Sequence, residues 1–163
     1  RVKLLNTFQP WRKVFGKIHS RLKDQELILR FFALYQDVEK YERPLSEFLS
    51  KYAGRNRNPG EELLNELSRL FKSAISVFLA SLNIKLFRLT KTLNVAVYDS
   101  CMVGMAKRIA ANPGKEPNAK AVELAYQSLL KDNDYIEAVS RSTADDAFVR
   151  RRIKKAIEKF AGC

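Results

Sequence analysis

Histidine is almost missing from this chain: His19 is the only one among 163 residues. A lone imidazole cannot build a His-based zinc site without other ligands nearby, and its place at the end of a short helix suits a solvated or capping side chain rather than a catalyst. Cysteine is scarce too. Cys101 and Cys163 lie far apart with no metal-type spacing. Cys101 falls in an apolar helical pattern and is expected to be a buried small hydrophobe, and the terminal Cys163 a free thiol. Six glycines build no phosphate-cradling G-x-x-x-x-G-K-S/T loop, and there is no G-x-S-x-G elbow for a serine hydrolase. Nothing visible would run hydrolysis or phosphoryl transfer unaided, so no catalytic residue, metal or cofactor is assigned to this segment. Long apolar runs are lacking as well: Leu27–Tyr35 is broken by Arg30 and is far too short to cross a bilayer. No charged-then-apolar leader opens the chain, and the expectation is a soluble, cytoplasmic protein with no membrane partner.

Hydrophobic residues make up 46% and charged residues 29%, the mixture of a globular protein, and the length suffices for one domain with a substantial core. Base outnumbers acid, thirty Lys and Arg against eighteen Asp and Glu, for a net charge of +12. An excess of that size favours nucleic acid or another polyanion as partner. The alternative is that it keeps the domain soluble or faces an acidic neighbouring domain. The first residue is Arg1 rather than Met, and residues 1–163 are expected to form one helical domain, the C-terminal fragment of a larger protein.

The periodicity is helical nearly throughout. Pro10 suits the first turn of a short helix from Trp11 to about Lys17, with Trp11, Val14, Phe15 and Ile18 on one side. Asp24 reads as the N-cap of a helix over about Gln25 to Lys40. The broad apolar surface of that helix, Leu27, Phe31 and Leu34 widened by Ile28, Phe32 and Tyr35, belongs at the centre of a bundle. Pro44 precedes a short helix, Leu45–Tyr52, closed by Gly54, and 55–60 is a polar loop. Glu61–Leu82 is the most amphipathic segment, with Glu61 and Glu62 where the helix dipole favours them. Ile84–Leu93 reads as an extended connector or a brief strand. Asn94 caps a helix to about Ala111, and further helices cover about Asn118–Leu130, Tyr135–Arg141 and Ala144–Phe160, the last with Thr143 and Asp146 spaced as a capping box. The fold class expected is all-α, a single irregular bundle of about six to eight helices without internal repeats.

Charges set into an apolar segment mark residues 21–30. Glu26 and Arg30 are spaced i, i+4 with the acid first, the favourable order on a helix, and Arg21 is placed to reach Asp24 or Glu26. Arg21, Asp24, Glu26 and Arg30 read as a partly buried ion-pair lock that fixes helix register; the competing reading is an arginine reaching a phosphate of a ligand or of DNA. Three basic clusters are candidate phosphate contacts. In the last helix Arg151, Lys154 and Lys155 lie opposite the apolar stripe, flanked by Arg150 and Arg152 with their heads reaching water. Arg55 and Arg57 make the second cluster, and Lys85, Arg88 and Lys91 the third. For each, a solvated face is the competing reading.

Three stretches taken together resemble one family. Arg21-Leu-Lys-Asp-Gln-Glu-Leu-Ile-Leu-Arg-Phe-Phe-Ala-Leu-Tyr35 is followed by Tyr41 and by Pro44-Leu-Ser-Glu-Phe-Leu49. Ser142-Thr-Ala-Asp145 comes near the end, with Val149, Arg152, Ile153 and Ala156 behind it. This order resembles the helical C-terminal half of proteins with a ParB/sulfiredoxin-like domain of the GmrS type, bacterial and archaeal proteins of which some serve in modification-dependent restriction and other anti-phage defence. The resemblance implies a parent that hydrolyses nucleotide and targets DNA, with an upstream ParB-like domain as this segment's partner. The family's Asp-Gly-Gln-Gln-Arg motif belongs to that upstream fold. This sequence contains no Asp-Gly-x-x-Arg and no His-Asn-His nuclease domain, so no catalytic residue is carried over. The function expected is that of a non-catalytic C-terminal domain that supports the ParB-like domain and contacts DNA phosphates. A helical interaction or scaffold module with no nucleic-acid role is the alternative. A free-standing DNA-binding protein of unrelated descent is a third reading, for which no helix-turn-helix signature is clear.

Overall fold

Val95–Ala111 carries apolar or small residues on every side, and a helix of that kind belongs inside a bundle. A computed structural model, describing residues 1–82 and 85–163, places it there. Among the described residues the chain forms nine α-helices: α1 Val2–Asn6, α2 Gln9–Phe15, α3 Lys23–Asp37, α4 Leu45–Arg55, α5 Glu61–Ser81, α6 Val95–Ala111, α7 Ala119–Leu129, α8 Asn133–Ser140 and α9 Asp146–Phe160. No strand occurs among the described residues, and the fold is all-α. Helix α6 buries every residue from Ala96 to Ala106 and is flanked by α3, α5, α8 and α9. Helix α5 turns Leu67, Leu70, Phe71, Ala74, Ile75 and Phe78 inward, as its three-and-four spacing requires. Aromatic contacts then link the elements. Trp11 of α2 meets Phe71 of α5 at 5.7 Å and Tyr98 of α6 at 5.6 Å. From Tyr98 the series continues through Phe87 and Phe78 to Phe160 of α9, with centroids 5.3–5.5 Å apart.

Several boundaries differ from the sequence expectation, each for a local reason. Helix α1 was hidden by its shortness, since five residues barely exceed one turn. Pro10 does lie in the first turn of α2, but Gly16, at φ +100°, stops the helix early. Ile18 therefore leaves the buried stripe and stands 68% exposed. The chain enters α3 through Leu22 in the left-handed region, φ 56°, so Asp24 lies inside the first turn and is not the N-cap. The last three residues expected in that helix, Val38–Lys40, form a 3-10 turn. Helix α4 runs through Gly54 to Arg55 and closes where the Asn56 N–H donates to the Tyr52 carbonyl at 3.1 Å.

Asn94, Asn118 and Asp132 cap α6, α7 and α8 by accepting from the N–H groups of Val97, Ala121 and Tyr135. At α9 the cap is Asp145, which accepts from the Ala147 N–H at 3.0 Å, in place of a Thr143–Asp146 box. Ile84, the first residue of the expected connector, lies outside the described residues. Lys85–Leu93 is a set of turns and bends rather than a strand. It is pinned by the Asn94 N–H on the Phe87 carbonyl at 2.7 Å and by the Phe87 N–H on the Tyr126 hydroxyl at 3.0 Å.

Candidate functional site

Asp24 and Arg30 share a helix, yet each is held by a different part of the fold. The Asp24 carboxylate is fully buried. It accepts from Asn6 Nδ2 at 2.9 Å, from Arg12 Nη1 at 2.8 Å, and from the backbone N–H groups of His19 and Gln25 at 3.3 and 3.1 Å. It thereby ties α1 and α2 to α3. Burial works to raise its pKa, but these four bonds outweigh burial and hold the carboxyl below the usual carboxylate range. Arg21 takes no part. The left-handed turn at Leu22 carries it away from the helix, its side chain is exposed, and its backbone N–H donates to His19 Nδ1 at 3.1 Å.

The main partner of Arg30 is Asp99 of α6. Arg30 Nε donates to Asp99 Oδ1 at 3.1 Å and Nη2 to Oδ2, whereas Glu26 stands 3.8 Å away and half exposed. Burial lowers the Arg30 pKa, and the Asp99 charge more than reverses this. Arg152, expected to send its head to water, is instead 1% exposed. Its guanidinium Nη1 donates to the carbonyls of Ala138 and Thr143 at 3.3 and 2.8 Å, and Nη2 lies 3.8 Å from Asp99 Oδ2. Helix α8 and the loop after it close over the side chain, and desolvation pulls its pKa below the ordinary arginine value, Asp99 acting against that and Arg30 with it. Arg150 is also turned inward, donating to the carbonyl of Tyr41 at 2.7 Å.

The three basic clusters fare differently. On α9, Arg151 pairs with Glu137 at 3.1 Å and lies over the Phe148 ring at 4.9 Å. Lys155 bridges Asp132 at 2.8 Å and Asp134 at 3.3 Å. Lys154 is exposed and has no ion pair among the described residues. Arg55 pairs with Asp37 at 2.8 Å, and Arg57 is exposed beside it in sequence. In the third cluster Arg88 donates from Nη1 to the Leu86 carbonyl at 3.0 Å and from Nη2 to the Val14 carbonyl at 3.2 Å, docking the 85–93 loop onto α2. Lys85 and Lys91 remain exposed with no ion pair among the described residues.

This docking assembles a basic surface that arginine density does not reveal. Residues 1–23 carry seven cations and no acid, and residues 67–115 carry eight cations and one acid, the buried Asp99. Residues 116–163, which contain the arginine-rich run, balance nine cations with eight acids. The fold brings the first two segments together at α2, which lies between α5 and the loop. Lys13 and Lys17 are exposed at its end, Lys85 and Lys91 on the loop, and Lys72 of α5 on the other side, its Nζ 5.6 Å from the Phe8 ring. Lys72 also lines a cleft of about 490 Å³ between α5 and the 112–117 loop, with Arg69, Lys115 and one acid, Glu116. Ile18, Leu22 and Leu89 stand exposed among these cations, at 68, 56 and 37%. The signal in the sequence is the scarcity of acid over two long windows, none in residues 1–23 and Asp99 alone in residues 67–115.

Among the described residues no group of three or more His, Cys, Asp or Glu is arranged to hold a metal ion. Nor, among the described residues, is any helix long and apolar enough to cross a membrane. No family model matches the chain, and no curated protein or solved structure matches it.

Proposed function

We propose that this chain is a non-catalytic helical module that holds the phosphate backbone of DNA against the surface around α2. In this reading it is the C-terminal domain of a GmrS-like, nucleotide-dependent, DNA-targeting defence protein of the cytoplasm, where it supports the ParB-like domain. The observation that carries the DNA contact is the meeting at α2 of two basic segments, one without acid and one whose single acid, Asp99, is buried, with Lys13, Lys17, Lys72, Lys85 and Lys91 exposed and free of ion pairs among the described residues. Such a surface attracts a polyanion and reads no base edges, because lysine heads meet phosphates as point charges. The parentage rests on the resemblance of residues 21–35, 44–49 and 142–156. Two unpaired cysteines suit a reducing compartment.

The test is the affinity for duplex DNA as a function of salt. Binding should weaken linearly in log–log form, and each phosphate-contacting lysine removed should reduce the slope by about one. Lys13→Glu, Lys17→Glu and Lys91→Glu together should abolish most of the affinity, while reversal of Arg151, Lys154 and Lys155 should leave most of it. No binding at low salt would defeat the DNA reading. A second reading, a helical interaction module for an acidic protein, draws on the exposed Ile18, Leu22 and Leu89. Under that reading Ile18→Ser with Leu22→Ser should disable the parent's assembly, with DNA affinity unaltered.

A further inference from the structure

Two guanidinium groups, those of Arg30 and Arg152, converge on one buried carboxylate, that of Asp99. The other acid in reach, Glu26, is half exposed and 3.8 Å from Arg30 Nη1. The region removed from water therefore holds one more positive than negative charge. A buried charge short of a partner is costly, and desolvation does pull the Arg152 pKa down. Hydrogen bonding points the same way. Arg152 is 1% exposed, Nη1 is shared by two carbonyls, and Nε is buried with no acceptor among the described residues.

Beside these groups lies a cleft of about 70 Å³ walled by Arg30, Arg152, Tyr41, Thr143 and Ala144. That is room for a small group, of the size of one phosphoryl, in a cleft open to solvent. The competing partners are already engaged. The Tyr41 hydroxyl donates to the Ala144 carbonyl at 2.9 Å. Asp145 accepts from the Ala147 N–H at 3.0 Å and faces Arg43 at 3.7 Å, and Asp146 accepts from the Arg43 N–H at 3.0 Å. Thr143 is exposed in the loop that forms the mouth.

We propose that this cleft is a binding site for a single phosphate-sized oxyanion, held by the guanidinium groups of Arg30 and Arg152 with Thr143 at its mouth. Arginine suits the role because its planar fork presents several donors to one oxyanion. The site is separate from the surface around α2, being built by α3, α9 and the loop before α9. The oxyanion comes either as inorganic phosphate or as the terminal phosphate of a nucleotide or nucleic-acid end whose remainder stays in solvent.

The experiment replaces sodium chloride by sodium phosphate at fixed ionic strength and follows Tm, with binding of inorganic phosphate measured by calorimetry. Tm should rise with the logarithm of phosphate concentration, and calorimetry should give one site per chain. Thr143→Asp changes an exposed loop residue and brings a fixed carboxylate to the mouth, so its Tm in chloride should be no lower than that of the parent chain. Its phosphate affinity should fall by roughly tenfold or more, and Arg152→Lys should lose affinity likewise. Equal stabilisation by phosphate and chloride, or full phosphate affinity in Thr143→Asp, would overturn the proposal. A 5′-phosphorylated oligonucleotide that outcompetes its unphosphorylated twin, with the preference lost in Thr143→Asp, assigns the site to a terminal phosphate. Phosphate binding without that preference assigns it to the free ion.

Discussion

Gly104 of α6 faces the main chain of Ala156 on α9 so closely that a Cβ at residue 104 would lie 2.8 Å from the Ala156 carbonyl carbon and 2.9 Å from its oxygen. Alanine in a helix interior is ordinarily better than glycine by about 1 kcal/mol. Here the obstacle is backbone, which cannot rotate aside, so overpacking decides the sign. Gly104→Ala is expected to lose about 1–3 kcal/mol, read as a lower urea midpoint with unchanged slope. An unshifted midpoint would mean that α9 stands further from α6 than this packing requires.

Among the described residues Asp99 is the one buried carboxylate within reach of both Arg30 and Arg152. Replacing it by Asn keeps the shape and removes the charge, leaving two guanidinium groups uncompensated. Asp99→Asn should cost about 3–5 kcal/mol. Glu26→Gln, which touches only the half-exposed i, i+4 pair at 3.8 Å, should change stability by no more than about 0.5 kcal/mol. Chemical denaturation of the two variants side by side separates the buried contact from the helical one, and equal losses would refute the ranking.

Acid should unfold the protein through a few identified carboxylates. Burial would raise the pKa of Asp24 and of Asp37, but hydrogen bonds to each outweigh it and lower both, and Asp132 is lowered chiefly by its bond from Lys155. A carboxyl whose folded pKa lies below its unfolded value stabilises the fold fully above the unfolded pKa, about 3.9. That contribution disappears as pH falls through the folded value. Tm should therefore stay level down to about pH 5 and drop steeply below about pH 4. In Asp24→Asn the drop should be shallower, from a lower starting Tm; a profile as steep as that of the parent chain would remove Asp24 from the account.

Burial pushes the Cys101 thiol up to about 12, with the Tyr135 hydroxyl acting in the opposite direction. The Cys163 thiol is raised by burial as well, Arg108 acting to lower it. Thiolate is the reactive form, so neither should be modified by an aromatic disulfide at about pH 8 at the rate of a free thiol. Both should titrate fully in denaturant. Rapid modification of Cys101 in the folded protein would show that the packing of α6 against α8 opens.

How much of this could be read in advance depends on the range of the interaction. The inward face of α5 and the Asn94 cap of α6 are local properties, set by spacing and by a side chain three residues from its acceptor, and both are where the pattern puts them. Asp24 differs from its expected role because a cap and a buried acceptor look alike in sequence until the chain's direction at Leu22 is known. Arg30 was given Glu26 because that acid is four residues away, while Asp99 is 69 residues away and no periodicity pairs them. Arg152 flanks the apolar stripe of α9 as expected, yet whether a flanking side chain reaches water depends on what covers it, here α8 and the loop after it. The clusters on α9 and α4 were chosen by density, and their neutralisation by Glu137, Asp132 and Asp37 comes from other helices or loops.

Trp11 is the chain's single tryptophan, and it lies fully buried in α2 with its indole N–H on Asn6 Oδ1 at 3.1 Å. The helix it anchors carries Lys13 near its end, and Lys17 follows just after it on the basic surface. The protein thus carries a fluorophore within the helix that bears Lys13, in contact with Phe71, Tyr98 and the Arg12 side chain. Emission should be blue-shifted in the folded chain and should report the seating of α2 independently of the circular dichroism of the other helices. Any polyanion that lifts or tightens α2 then announces itself as a colour change, with no label attached.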